Sequence, residues 1–236
     1  FRAPLAQPLM TRPVSGLQDV ERLVRDEQVR QHRQTLPAAV AGSALLGVIV
    51  ALVQSRVTGM APAAIWLLIL AAGLLVHLGV YRWHERADAD AECRKAHVWI
   101  GRYRLIALVH GVIWALSSYW LFPPTELAHQ LFLAFALAGI CVSTLAGNAF
   151  DLKAALFFCL PVLLALTLRL LMLGTETGVM MASIGLICIV YVLAIARRTS
   201  RTMREAVALR GAQATQLVDV RRGHAQLQRA EKLAGL

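Results

Sequence analysis

Six stretches of this chain are long and almost purely apolar: Leu36–Val53, Ala61–Tyr81, Leu105–Phe122, Leu131–Ala149, Ala154–Leu173 and Val179–Ala196. Crossing the hydrocarbon of a bilayer takes roughly 17–25 such residues in a helix. Together they leave little for a polar surface: 58% of the chain is hydrophobic and 16% charged, where a soluble domain has about 45–50% and about 25%. One soluble globular domain is therefore excluded. In lipid, each backbone N–H and C=O must be paired within the protein, which makes an apolar span a helix. The expected fold class is all-α, a polytopic membrane helical bundle of six transmembrane helices with a C-terminal cytoplasmic helix. It divides into a cytoplasmic leader over 1–35, a six-helix transmembrane domain over 36–196 and a cytoplasmic linker or coiled-coil helix over 197–236.

The net charge of +10 raises nucleic acid as a partner, and the position of the bases answers it. If six spans alternate, 22 of the 24 Lys and Arg residues fall on one side, in the leader, the 82–104 connection, the 151–153 turn and the tail. Arg56 lies on the other side and Arg169 within the fifth span. Basic residues concentrate in cytoplasmic loops. The pattern therefore predicts a multi-pass membrane protein with both termini cytoplasmic, the lipid bilayer as its surroundings and no nucleic-acid partner. The aromatic residues fit these boundaries, with Trp66, Tyr119 and Trp120 at the outer interface and Tyr81, Trp83, Trp99 and Tyr103 at the inner one. No signal peptide is visible, because Thr11–Gln34 is too charged for an apolar signal core.

The breaks between spans carry turn or charge signals, the weakest at Phe150–Lys153. Pro37 falls in the first turn of the first span, where proline costs little. Pro161 falls inside the fifth and predicts a kink unless neighbours satisfy the freed carbonyl. Cys141, Cys159 and Cys188 lie in apolar runs and read as reduced, packed thiols. After Ala196 the chain turns polar, with an imperfect heptad through Ala206, Leu217, Val220, Leu227 and Ala234 and with Gly211 and Gly223 weakening the helix. Phe1, with its first Met at Met10, and the mid-pattern end at Leu236 both read as cuts in a longer protein.

Few residues offer chemistry. His77 and His110 sit at similar depth near the inner ends of the second and third spans. They read as a bis-histidine haem or metal site, as a proton-sensing pair, or as two histidines satisfied by interhelical hydrogen bonds. Arg169 lies near the outer end of the fifth span, where it snorkels to the headgroups or pairs with Glu176. Asp151 and Lys153 read as a charged interfacial stop, and Gly139, Ser143, Thr144 and Gly147 as small residues that let helices pack closely. His84, Cys93 and His97 imitate a metal site but lack a fourth ligand. No phosphate-binding glycine loop, zincin helix or hydrolase elbow is present. No catalytic residue, cofactor or metal is expected, and His77, His110, Arg169 and Pro161 stand as the sensing or packing candidates.

The third to fifth spans carry a recognisable series. His110-Gly-Val-Ile-Trp114 is followed by Leu121-Phe-Pro-Pro124, by His129-Gln-Leu-Phe-Leu-Ala-Phe-Ala-Leu-Ala-Gly139 and by the span around Pro161. Over roughly residues 27–200 this is similar to the multi-span N-terminal input region of bacterial sensor histidine kinases and of some diguanylate cyclases. The tail Leu227-Gln-Arg-Ala-Glu-Lys-Leu-Ala-Gly-Leu236 resembles the run before the phosphoacceptor helix of sensor kinases. The resemblance implies a sensory and dimerising module of a two-component kinase in the bacterial cytoplasmic (inner) membrane, with 36–196 as its transmembrane sensor domain and the C-terminal cytoplasmic helix as its signalling helix. Its partners would be a second copy, an output domain in cis and a response regulator. The phosphoacceptor and ATP-binding boxes are absent, and His224 does not lie in such a box. A diguanylate cyclase input module is the alternative, and a small transporter a more distant one.

Overall fold

The structure is a computed structural model that describes residues 17–85 and 96–198, with Thr202, Glu205, Ala206, Leu209 and Gln216. All regular structure among the described residues is helical. The six helices are α1 (Leu17–Thr58), α2 (Met60–Glu85), α3 (Ala96–Trp120), α4 (Leu127–Gly147), α5 (Leu152–Leu171) and α6, described over Glu176–Arg198. Arg25–Arg201 form one compact unit. The other comprises 1–24 with 202–236, in which 17–24 and the five isolated residues named above are helical. Cys93 of the 84, 93 and 97 trio and most of the tail heptad lie outside the described residues.

Five helices are long and apolar enough to cross a membrane: α1 from Glu27, α2 to Trp83, α4, α5 and α6. The chain is therefore a membrane protein by the length and composition of its helices. The remaining helix, α3, holds Arg102, Arg104, His110, Ser117 and Ser118, which lower its mean hydropathy. Its burial explains how it carries them. Trp99, Tyr103, His110, Trp114, Ser117 and Ser118 are all buried, so α3 turns polar groups toward protein. The principal core runs through Val50 of α1, Trp66 and Leu70 of α2, Trp114 of α3, Leu137 of α4, Val162 of α5 and Ala182 of α6.

Helices α3 and α5 bring their backbones close together at Gly111. A Cβ there would stand 2.6 Å from the Phe158 carbonyl oxygen and 3.1 Å from that of Phe157. Phe157 lies four residues before Pro161, so its carbonyl is the one that loses a helical N–H donor. The helix nevertheless runs unbroken through Pro161 from Leu152 to Leu171. Gly111 brings its backbone against that exposed carbonyl, a contact available only to a residue without a side chain.

At 42 residues, α1 runs across the expected boundary between leader and first span. At about 1.5 Å per residue such a helix is roughly twice as long as the hydrocarbon layer is thick. Pro37 therefore lies in mid-helix rather than in a first turn, and removes a donor from the Arg33 carbonyl. The polar part of α1 is packed too: Val29 and Leu36 join Trp99, Ile100 and Tyr103 in a second, smaller apolar cluster. Connections at the opposite end are short. Gly59 alone, at φ +90, links α1 to α2. An L side chain rarely adopts that conformation. Gln130 donates to the carbonyls of Pro123 and Pro124 at 2.9 and 3.0 Å, closing the α3–α4 turn. Trp66 is not an interfacial anchor. It is 0% exposed, donates its indole N–H to the Ile113 carbonyl at 2.9 Å and meets Trp114 edge to face.

Candidate functional site

Two polar clusters lie toward the end of the bundle that holds the turn between α4 and α5. The first centres on Asp151, in the turn between α4 and α5, which is 1% exposed. The Arg104 guanidinium of α3 grips it with Nε at 2.9 Å from Oδ2 and Nη2 at 3.0 Å from Oδ1. His32 Nε2 of α1 lies 3.3 Å from Oδ2. An ionised carboxylate only accepts hydrogen bonds, so Nε2 carries the proton here. The same carboxylate caps α5, accepting from the backbone N–H groups of Lys153 and Ala154 at 3.2 and 3.4 Å. The His32 ring stacks on Tyr103 at 4.9 Å and meets Phe150 edge-on at 4.8 Å. Gln28 donates to the Phe150 carbonyl at 2.8 Å. Burial opposes ionisation of Asp151, but the hydrogen bonds from His32 and Arg104 and the Arg104 charge outweigh it and hold the carboxyl below its ordinary range. Asp151 is thus a buried tie between α1, α3 and α5 rather than an interfacial stop.

The second cluster centres on Ser43 of α1. Its hydroxyl accepts from Trp114 Nε1 at 3.0 Å and shares a hydrogen bond of 3.0 Å with His110 Nε2. His110 is 6% exposed, and its ring lies 5.8 Å from that of His77, tilted by 59°. His77 Nδ1 is buried without a hydrogen-bond partner. The His110 ring also stacks on Phe158 of α5. Two of the four sensing or packing candidates, His77 and His110, are therefore neighbours.

Arg169 and Pro161 are elsewhere. The Arg169 guanidinium lies over the Phe122 ring at 5.5 Å, with its Nε buried and unpartnered, and the contacts of the described residues include no ion pair with Glu176. Near that opposite end, Gln54 of α1 and the start of α4 exchange two bonds. Gln54 Nε2 donates to the His129 carbonyl at 3.0 Å, and His129 Nδ1 lies 2.8 Å from Gln54 Oε1.

The Asp151 and Ser43 clusters border one cavity of about 610 Å³. His32, Ser43, His77 and His110 contribute to its wall, as do Ser143, Thr144 and Asn148 from the end of α4 and the following turn. The small residues expected to pack α4 closely do otherwise: Gly139, Ser143, Thr144 and Gly147 line this cavity, and a Cβ on Gly139 or Gly147 would meet nothing within 4 Å. His32 was missed by sequence reasoning because it stands among alternating charges that read as solvated. The apolar spacing of Val29, His32 and Leu36 on one helical face is the signal that finds it.

The cavity is mostly apolar, with His32, His77, His110 and Tyr103 as its titratable groups. Among the described residues no three His, Cys, Asp or Glu side chains group as a metal site requires. The arrangement suits binding and hydrogen bonding through imidazole. No protein-family model, curated protein or solved structure matches this chain.

Proposed function

We propose that this chain is the membrane-embedded sensory and dimerising module of a bacterial sensor histidine kinase. In this reading α3 completes a six-span bundle, both termini are cytoplasmic, and a second copy packs through the sixth span and the tail. Its output domain follows in cis, and a response regulator is its partner. The observation that carries the reading is the histidine-lined cavity of about 610 Å³ inside the bundle. Connections at the opposite end are the single Gly59 and the short segments 121–126 and 172–175, too short to fold an external ligand domain. An input is then registered between the helices. The cavity touches α1, α2, α3, α4 and α5, and Asp151 ties three of them at its edge. A change there shifts helix packing, and packed interfaces switch between discrete arrangements rather than deforming continuously.

The test fuses Thr11–Leu236 to a reporter kinase and inserts one to seven residues at Gly211. Output that rises and falls with heptad phase supports transmission through the helix; output independent of phase rejects it. A diguanylate cyclase in place of the kinase would use the same module, and the residues beyond Leu236 distinguish them.

A further inference from the structure

We infer that the cavity is a lateral binding site for a neutral, lipid-soluble molecule with an oxygen-bearing polar head, entered from the bilayer between α1 and α4. The inference rests on the membrane reading above but not on its signalling step. Three observations on the molecule support it.

The first is where the mouth lies. Among the cavity residues, Gln34, Ala38, Ala39 and Gly42 of α1 and Gly139 and Ser143 of α4 are exposed at the surface of the bundle. All but Gln34 fall inside the apolar stretches 36–53 and 131–149, so the opening runs along hydrocarbon, with Gln34 at its polar end. The rim is open as well as small: a Cβ on either Gly42 or Gly139 would meet no atom within 4 Å. A ligand arriving there has already partitioned into lipid.

The second is charge. No Asp, Glu, Lys or Arg lines the cavity among the described residues. Asp151 and Arg104 stand behind His32 and neutralise each other. A carboxylate or phosphate headgroup would find no cation in this wall, and an ammonium no carboxylate. Burying either unpaired is costly, so the ligand is uncharged.

The third is the polar equipment of the inner wall. His77 lines the cavity and has an Nδ1 with no hydrogen-bond partner, beside His110, whose Nε2 is fixed by Ser43. Ser143, Thr144 and Asn148 add hydroxyl and amide groups on the facing side. A few polar groups set in an apolar cavity of about 610 Å³ match the usual form of a small-molecule site. Imidazole N–H and hydroxyl groups meet carbonyl or hydroxyl oxygens on the head, while Leu46, Leu74 and Phe158 meet an apolar ring.

The experiment is equilibrium dialysis of the full chain in phosphatidylcholine nanodiscs, with empty nanodiscs subtracting partition into lipid. Three probes share a ten-carbon tail: decylbenzoquinone, whose head carries two carbonyls; decylbenzene, whose head carries none; and decanoate, which is charged. The quinone is expected to bind above the lipid background, and the other two are not. His77→Leu and His110→Leu should each weaken quinone binding about five- to tenfold, the worth of a hydrogen bond. Gly139→Phe, which fills open space at the rim, should abolish it while circular dichroism stays native. Equal binding of quinone and decylbenzene, or preferred binding of decanoate, overturns the inference on the native protein alone. Quinone binding that survives all three substitutions overturns it too. Because no output domain is needed, phase-insensitive signalling and loss of this binding are separate results.

Discussion

Replacing Asp151 with Ala should be among the most damaging single changes at its end of the bundle. The substitution strips the acceptor from the Arg104 guanidinium, from His32 and from two backbone N–H groups of α5. Breaking a buried ion pair from one side costs about 3–5 kcal/mol. Arg104 is 25% exposed along its side chain and can recover some solvation, which favours the lower end. Losing the helix cap adds about 1 kcal/mol, part of which is shared with the first term because the same carboxylate does both. A net loss of about 3 kcal/mol lowers the melting temperature of a domain this size by about 6–12 °C. Asp151→Asn keeps an acceptor for the cap but loses the charge, and should cost about half as much. The assay is thermal unfolding of the purified chain in detergent, read by circular dichroism, with Arg104→Ala and the double variant completing a cycle. The two substitutions should be coupled by more than about 1 kcal/mol. A shift of under about 2 °C for Asp151→Ala, or strict additivity in the cycle, would refute the assignment of Asp151 as the tie.

Further outcomes follow from the same contacts. Because the folded state holds the Asp151 carboxyl below its ordinary range, its contribution is complete at neutral pH and is lost as the pH falls below that range; the Asp151→Asn variant should lose less stability over the same acid titration. Gly111→Ala pushes a Cβ into the α5 backbone, which has no flexible end to give way, and should cost about 1–3 kcal/mol; Gly101→Ala, with open space beside it in the same helix, should be neutral or stabilising by up to about 1 kcal/mol, and similar melting of the two variants would contradict the close approach. Ser43→Ala leaves the buried Trp114 and His110 nitrogens without their shared partner and should cost about 1–3 kcal/mol, with a blue-shifted indole absorption as the spectroscopic sign.

Hydropathy alone located the apolar helices, because no other backbone form satisfies itself in lipid. The nearness of His77 and His110 was also legible, since each stands a similar distance from the same connection. What the pattern could not separate was the inward from the outward face. Lipid is as apolar as a protein core, so Trp66, wholly buried, and the lipid-facing positions of α2 look alike. The leader misled for the opposite reason. Its charged residues concealed His32, which stacks on Tyr103, meets Phe150 edge-on and reaches Asp151. Asp151 itself reads as a loop charge until Arg104, 47 positions earlier, is seen to reach it. Small residues in α4 are equally ambiguous by composition. Gly139 lines an opening here, whereas Gly111 in α3 is a helix contact, and both have the same absent side chain.

The signalling function proposed above makes the cavity between the helices the input of the module. Its most direct test is the phosphorylation output of a reporter kinase fused after Leu236, compared between the native chain and Gly139→Phe in the same membranes. Filling the cavity should lock output at one level and abolish its response to added decylbenzoquinone, with expression and membrane insertion unchanged. An output that keeps both the native level and the native response with the cavity filled would contradict the account.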